Sequence, residues 1–210
     1  MKVLLVINGH PPKEMPNVRD YEKIYCTDGA YSYLLSQKIR PDFVIGDFDS
    51  VSIDDISPFV EAVEILDQDS TDFDKSLQFI VDQGHKEVDV YGSTGLEHDH
   101  FLGNLSTALS FKNKIEITFF DDYSVFFFTD KSITLDNVKN RVISLVPFHE
   151  AKNVHSKGLK YPLIGMDLKL GKRIGTRNIA DEDIVEISYD AGELMIFISV
   201  YDKEEEDEWK

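Results

Sequence analysis

Phe43-Val44-Ile45-Gly46-Asp47-Phe48-Asp49-Ser50 joins a short apolar run to two aspartates that are one residue apart. A continuous apolar run is typical of a parallel strand that is covered on both faces. Two carboxylates at this spacing repel each other unless a cation or a proton lies between them. Hard cations such as Mg2+ prefer oxygen ligands and often bind together with substrate phosphates. The stretch therefore predicts a buried strand that ends at a cation site, although an ordinary polar loop would show the same pattern.

Similar apolar runs recur through the first 120 residues, with amphipathic segments between them. Strands are predicted at Val3–Ile7, Ile24–Thr27, Phe43–Ile45, Val63–Leu66, Val88–Tyr91 and Ile115–Phe120. Helices are predicted at Ala30–Ile39, Thr71–Gln83 and His98–Phe111. Alternating strands and helices favour an α/β domain with a Rossmann-like, mostly parallel sheet.

The sequence after about residue 122 has a different texture, because its short strands are separated by turn residues and no segment of comparable length has a helical period. Strands are predicted at Phe126–Thr129, Ile133–Leu135, Val142–Val146, Ile184–Tyr189 and Glu193–Val200. This pattern favours an antiparallel β-sandwich or barrel. We therefore expect an α/β domain over 1–122 and an all-β sandwich domain over 123–210.

Composition narrows the class of protein. Lys and Arg number 22 against 39 Asp and Glu, a formal charge of -17, so binding to a nucleic-acid backbone is not expected. The single cysteine, Cys26, excludes an internal disulfide and favours the cytoplasm. The first apolar run is too short for a signal peptide or a membrane span, so no membrane association is expected. The acidic stretch 202–208 is interpreted as a solvated chain end, with an interaction tail as the alternative.

Polar residues follow four successive predicted strands of the first domain. They are Asp28-Gly29, then Asp47 and Asp49, then Asp67–Asp72, and then Gly92–Gly95 with Asp99 shortly after. Ligands of open α/β sheets bind at the carboxyl ends of the strands, where these residues converge. So many carboxylates with so few bases nearby favour a metal-filled site.

Several of these residues have an alternative, purely structural explanation. Asp72 and Lys75 form either a surface ion pair or a metal carboxylate beside an ammonium that reaches a phosphate. One residue of Asp69–Asp72 is expected to cap the helix that follows. Ser93 and Thr94 lie in a small-residue loop that could cradle phosphate, although it is not a P-loop. His98-Asp99-His100 would need further His or Cys ligands to bind zinc, so capping and substrate contacts are favoured there.

Taken together, these motifs resemble the thiamine pyrophosphokinase family. The resemblance is carried by Asp28-Gly29, Gly46–Ser50, Asp67–Lys75 and Gly92–Asn104, and it continues in Gly158–Leu163 and Gly175–Asn178. It implies a transferase (a kinase of thiamine diphosphate biosynthesis) that moves a diphosphate from ATP to the hydroxyl of thiamine and releases AMP. It also implies a nucleotide-binding catalytic domain, a thiamine-binding β domain, and a homodimer whose active sites lie between subunits.

The resemblance also implies roles for individual residues. Mg2+ would be held by Asp47, Asp49 and Asp72, and the catalytic set would be these three together with Lys75 and Asp99. ATP would be bound by Gln68, Thr71, Asp72, Lys75, Ser93, Thr94 and Asp99. Thiamine would be bound by Asp28, Thr176 and Asn178. Either Asp49 or Asp72 would accept the proton of the hydroxyl.

Two positions depart from the family pattern. The family has an arginine where this chain has Glu97, and a serine where it has Arg177. We hypothesise that Arg177 supplies, across the dimer, the positive charge that Glu97 lacks; independent drift at two tolerant positions is the alternative. Two other functions also stay open. One is a Mg-dependent diphosphotransferase that acts on another small alcohol such as a pterin, and the other is a catalytically impaired thiamine- or nucleotide-binding protein.

Overall fold

The computed structural model describes residues 1–203, so part of the acidic stretch 202–208 lies outside the described residues. The chain divides into two compact units, residues 1–122 and 123–210. Within the described residues, no helix combines the length and the apolar character needed to cross a membrane.

The first unit alternates strands and helices. Its strands are β1 (Val3–Val6), β2 (Ile24–Thr27), β3 (Phe43–Gly46), β4 (Glu61–Glu64), β5 (Glu87–Tyr91) and β6 (Glu116–Phe120). Its helices are α1 (Asp28–Ser36), α2 (Asp72–Asp82) and α3 (His98–Phe111). Two single-turn 3-10 helices lie at Val18–Asp20 and Ile53–Asp55.

All six strands of this unit pair in parallel, in the order β4-β3-β2-β1-β5-β6. The central strand β1 is completely buried along its four residues. One apolar cluster joins strand residues such as Leu4 and Val44 to Leu34 of α1. Parallel strands covered in this way place all their carboxyl ends at one edge of the sheet, where the connecting loops can form a ligand site.

Two elements of the first unit differ from the sequence prediction by two residues or more. Helix α1 covers Asp28–Ser36 rather than Ala30–Ile39, so Asp28 and Gly29 belong to its first turn rather than to a loop. Strand β4 lies at Glu61–Glu64, two residues before the predicted Val63–Leu66. It is an edge strand with exposed glutamates at both ends. The predicted strand began two residues late because it was assigned to the apolar residues of Val63–Leu66, and only the first half of that segment belongs to β4.

In the second unit, the elements of residues 124–202 are all strands. They are β7 (Ser124–Phe128), β8 (Ser132–Leu135), β9 (Arg141–Lys157), β10 (Met166–Lys169), β11 (Gly175–Ile179), β12 (Val185–Ser188) and β13 (Ala191–Asp202). Every pairing among them is antiparallel. Strand pairing along the chain as a whole is therefore mixed, and the parallel arrangement is confined to the first unit.

The long strand β9 organises the second unit. It pairs with β13, β10 and β11 along most of its length and with β12 at its end, from His155 to Lys157. A buried cluster that includes Leu145, Val154, Leu168 and Ile187 forms the core of this unit. The sequence pattern predicted only Val142–Val146 of this strand and missed β10 and β11 entirely.

Candidate active site

An open cleft of about 530 Å³ lies within the first unit, at the carboxyl ends of its strands. This volume is in the range of small-molecule sites in proteins. Many of the residues predicted for the site line the cleft: Asp47, Gln68, Thr71, Asp72, Lys75, Ser93 and Asp99.

Three aspartates from three different elements meet beside this cleft. Asp28 is the first residue of α1, Asp47 directly follows β3, and Asp72 is the first residue of α2. One carboxylate oxygen from each lies within 4.8 Å of the other two. No other such group of His, Cys, Asp or Glu side chains occurs in residues 1–203, and the His98–His100 segment is not part of one. Carboxylate oxygens at this separation fit a hard divalent cation such as Mg2+.

Asp28 is the buried member of the group, with 2% of its surface exposed. Burial raises the pKa of the Asp28 carboxyl above its usual range, and the nearby charge of Asp72 adds to the increase. The N–H of Gly29 donates to the carboxylate at 2.7 Å and partly opposes the increase. A cation shared with Asp47 and Asp72 would stabilise the ionised form of Asp28.

Gly46 makes room for the Asp28 carboxyl. A Cβ atom at Gly46 would lie 2.8 Å from Cγ of Asp28, closer than side chains tolerate. The glycine before the two aspartates therefore provides space for a third carboxylate that approaches from α1.

Asp47 and Asp49 have different surroundings although one residue separates them. Asp47 accepts hydrogen bonds from Nε2 of Gln68 at 3.2 Å and from the N–H of Asp49 at 3.3 Å. The bond from Gln68 is the main reason that the pKa of Asp47 is lowered. Asp49 is exposed, accepts from Oγ of Ser50 at 2.9 Å, and is not a member of the three-aspartate group.

The start of α2 brings a positive charge to the same place. Oγ1 of Thr71 accepts from the N–H of Asp74 at 3.2 Å, so Thr71 is the N-cap that the sequence located within Asp69–Asp72. Nζ of Lys75 lies 3.0 Å from Oδ1 of Asp72, and only 4% of the Lys75 side chain is exposed. The Asp72 side chain is 32% exposed, so the pair is half-buried, with the ammonium inside and the carboxylate open to the cleft. An ammonium and a helix N-terminus that face a cleft together favour an anionic ligand such as a phosphate.

The loop after β5 and the start of α3 form the other side of the cleft. Ser93 is buried, and its carbonyl accepts from Nδ2 of Asn104 at 3.0 Å. The Asp99 carboxylate accepts from the N–H of His100 at 3.0 Å. Glu97 also lines the cleft, and its carboxylate lies 3.3 Å from Nε2 of His100, with both side chains 75% exposed. The glutamate that stands where the family has arginine therefore faces a histidine at the rim.

Two residues that line the cleft, Asn8 and Thr27, were missed by the sequence analysis. Asn8 follows the central strand β1, and the rule that located the other loops would have found it had it been applied to that strand. Its side chain occupies space left free by Gly29, where a Cβ would lie 2.3 Å from Nδ2 of Asn8.

Thr176, Arg177 and Asn178 lie on β11 of the second unit. Thr176 is exposed, whereas Asn178 is buried. The Asn178 carboxamide donates to the carbonyl of Tyr161 at 2.7 Å and accepts from the N–H groups of Tyr161 and Ile179. Asn178 therefore fixes the backbone next to Tyr161.

Two family models match this chain. A family model described as "Thiamin pyrophosphokinase, catalytic domain" matches residues 17–119. A second one, described as "Thiamin pyrophosphokinase, vitamin B1 binding domain", matches residues 131–194. The chain belongs to the thiamine pyrophosphokinase family.

Curated members of the thiamine pyrophosphokinase family resemble this chain over most of their length. The thiamine pyrophosphokinase of Bacillus subtilis is 28% identical over 193 residues, which cover 85% of this chain and 89% of that protein. Thiamin pyrophosphokinase 1 of Caenorhabditis elegans is 26% identical and covers 73% of this chain and 69% of that protein.

Solved structures show that the fold is shared. A thiamin pyrophosphokinase family protein from Enterococcus faecalis superposes with a TM-score of 0.84 at 22% identity, covering 96% of this chain and all (100%) of the other. Thiamine pyrophosphokinase from Bacillus subtilis gives a TM-score of 0.81 at 24% identity, with 94% and 98% covered. The two-domain layout implied by the sequence resemblance is consistent with these neighbours.

Proposed function

We propose that this protein transfers the diphosphate group of ATP to the hydroxyl of thiamine, giving thiamine diphosphate and AMP. The observation that carries the proposal is the group formed by Asp28, Asp47 and Asp72, in a chain that belongs to this family. Asp47 and Asp72 line the same cleft as the buried Lys75. The carboxylates suit a cation and the ammonium suits a phosphate, and a diphosphate transfer needs both.

The proposed metal is Mg2+, held by Asp47 and Asp72, with Asp49 as the third ligand that the resemblance suggests. Asp28 lies close to Asp47 and Asp72, which supports its inclusion in the same metal site. The family resemblance had instead implied that Asp28 binds thiamine. When bound, Mg2+ neutralises phosphate charge and fixes the phosphate geometry.

The first unit is the proposed catalytic domain, with a Rossmann-like fold. The proposed contacts to the nucleotide come from Gln68, Thr71, Lys75, Ser93, Thr94 and Asp99. Lys75 is held in place by burial and by Asp72, so its ammonium can stabilise negative charge that develops on the transferred group. The cleft walls align the hydroxyl with the phosphate, and Asp49 or Asp72 takes the hydroxyl proton.

The second unit is the proposed thiamine-binding domain, with Thr176 and Asn178 as contact residues. Because the Asn178 carboxamide already bonds to the backbone, its proposed role is to hold the Tyr161 segment in position for thiamine. The proposed assembly is a homodimer with active sites between subunits. A free, buried Cys26 supports a reducing, cytoplasmic location.

The acceptor can be tested by incubating the protein with ATP and Mg2+ together with thiamine, with a pterin alcohol, or with neither. AMP should form only with thiamine, and thiamine diphosphate should appear with it. AMP formation with the pterin alcohol alone would replace thiamine as the acceptor. Binding of thiamine and ATP without AMP formation would instead identify a protein that has lost catalysis.

A further inference from the structure

Phe48 lies between two proposed metal ligands and has an unusual backbone conformation. Its φ angle is +60°, in the left-handed region that residues other than glycine seldom adopt. In residues 1–122 only Lys38 and Leu96 share this property among non-glycine residues. Lys38 follows the C-cap of α1, where a left-handed residue commonly ends a helix. Phe48 has no helix end to explain its conformation.

The side chain of Phe48 explains how this conformation persists. The half-buried Phe48 packs on the apolar cluster that contains Leu34, Val44 and Val60. A strained backbone conformation survives only where the surrounding structure enforces it. Contact of the ring with the core provides that enforcement.

The turn at Phe48 separates the two aspartates that flank it. Asp47 bonds to Gln68 and belongs to the group with Asp28 and Asp72. Asp49 bonds to the adjacent Ser50 and does not belong to that group. With the Phe48 ring held on the core, a change of its φ angle would turn the Asp47–Phe48 peptide group, and with it the Asp47 carboxylate, relative to Asp28 and Asp72.

We propose that Phe48 is a positioning residue for the cation: its ring, packed on the core, holds the left-handed turn that directs the Asp47 carboxylate toward Asp28 and Asp72. This inference rests on the proposed function in one respect only, that the three aspartates hold a divalent cation.

The test is Mn2+ binding to the nucleotide-free protein, measured by isothermal titration calorimetry on Phe48→Leu, Phe48→Ala and Phe48→Gly. Glycine adopts the left-handed conformation freely but lacks the ring, and alanine lacks the ring while keeping the strain. We expect both to weaken Mn2+ binding by about tenfold or more. Leucine retains apolar packing and should stay within about threefold of the unsubstituted protein.

Lys38→Gly is the matched control, because it changes a left-handed residue at the end of α1 and should leave Mn2+ binding unchanged. Binding by Phe48→Gly equal to that of the unsubstituted protein would overturn the inference, since the backbone conformation would then suffice without the ring. Circular dichroism checks folding. If the smallest variants do not fold, the graded pair Phe48→Leu and Phe48→Val decides, because affinity must decrease with side-chain size.

Thiamine-dependent AMP formation by the unsubstituted protein is measured in parallel. A protein that binds Mn2+ but forms no AMP contradicts the proposed function, and the Phe48 series then still tests the inference. A protein that forms AMP while the Phe48→Gly and Phe48→Ala variants bind Mn2+ normally contradicts the inference alone.

Discussion

At the scale of single residues, the fold disfavours the ionised form of Asp28, and the cation proposed to bind there would favour it. Asp28 is 2% exposed and lies near Asp72, and its pKa is raised mainly by burial. With a folded-state pKa above the unfolded value, the folded protein binds the proton first as the pH falls. The carboxylate therefore disfavours folding of the metal-free protein at neutral pH, and this penalty decreases as the pH falls toward the raised pKa.

Asp28→Asn should accordingly stabilise the metal-free protein. We expect Tm at pH 7 in EDTA to increase by about 2–4 °C for each ~1 kcal/mol of penalty removed. Added Mn2+ should raise the Tm of the unsubstituted protein and have little effect on the variant. Thermal unfolding of both proteins with and without Mn2+ checks this. A lower Tm of the variant in EDTA would show that the carboxylate itself contributes to folding.

Much of this residue-scale site could be predicted, because carboxylates after parallel strands must lie at one edge of the sheet. This rule located Asp47 and Asp72. It could not reveal that Gly46 makes room for Asp28, since that contact joins residues 18 positions apart in the sequence. Nor could it separate Asp47 from Asp49, whose difference depends on the conformation of Phe48.

At the scale of elements, the first turn of α2 carries most of the proposed chemistry. Thr71 caps this helix, and Asp72 and Lys75 lie within its first four residues. The cap therefore contributes both to helix stability and to the position of the half-buried ion pair.

Thr71→Ala should lower the free energy of unfolding by about 1 kcal/mol, because the N–H of Asp74 loses its partner. Thr71→Ser retains the hydroxyl and serves as the matched control, with a smaller loss. Urea denaturation of the metal-free proteins measures both. If alanine and serine lowered stability equally, the hydroxyl would not be the source of the capping contribution.

Element boundaries were predicted well where apolar residues are continuous and poorly where backbone irregularities interrupt a strand. Strand β9 continues through Pro147 and through left-handed His149 and Asn153, which disrupt the alternation of inward and outward residues. Strand β11 was missed because its central residues Thr176, Arg177 and Asn178 are polar and its pairing partner is distant in sequence. Long-range pairing of this kind has no local signal.

At the scale of the whole molecule, the assembly remains a proposal that Arg177 can test. Its N–H donates to Oγ of Ser144 at 2.9 Å and its φ angle is +58°, so the backbone at this exposed residue of β11 has a defined geometry. If Arg177 supplies charge to the active site of the partner subunit, Arg177→Ala should raise KM for ATP about tenfold. Arg173→Ala removes an equal charge from the same unit and should leave KM unchanged.

Mixing variants would distinguish a contribution across the dimer from one within a subunit. At ATP concentrations far below KM, subunit exchange between Asp72→Asn and Arg177→Ala should raise the activity of an equal mixture from about a twentieth to roughly a quarter of that of the unsubstituted protein, because half of the dimers are mixed and each has one intact site. No recovery, with exchange confirmed by mass spectrometry, would contradict a site shared between subunits. An unchanged KM and turnover for Arg177→Ala would favour independent drift at Glu97 and Arg177.

Diphosphate transfer is tested most directly by the product stoichiometry with ATP, Mg2+ and thiamine. We expect AMP and thiamine diphosphate to accumulate in equal amounts, and Asp72→Asn to slow the formation of both by about a hundredfold or more. Formation of ADP with thiamine monophosphate would contradict diphosphate transfer. AMP release at the same rate without thiamine would contradict thiamine as the acceptor.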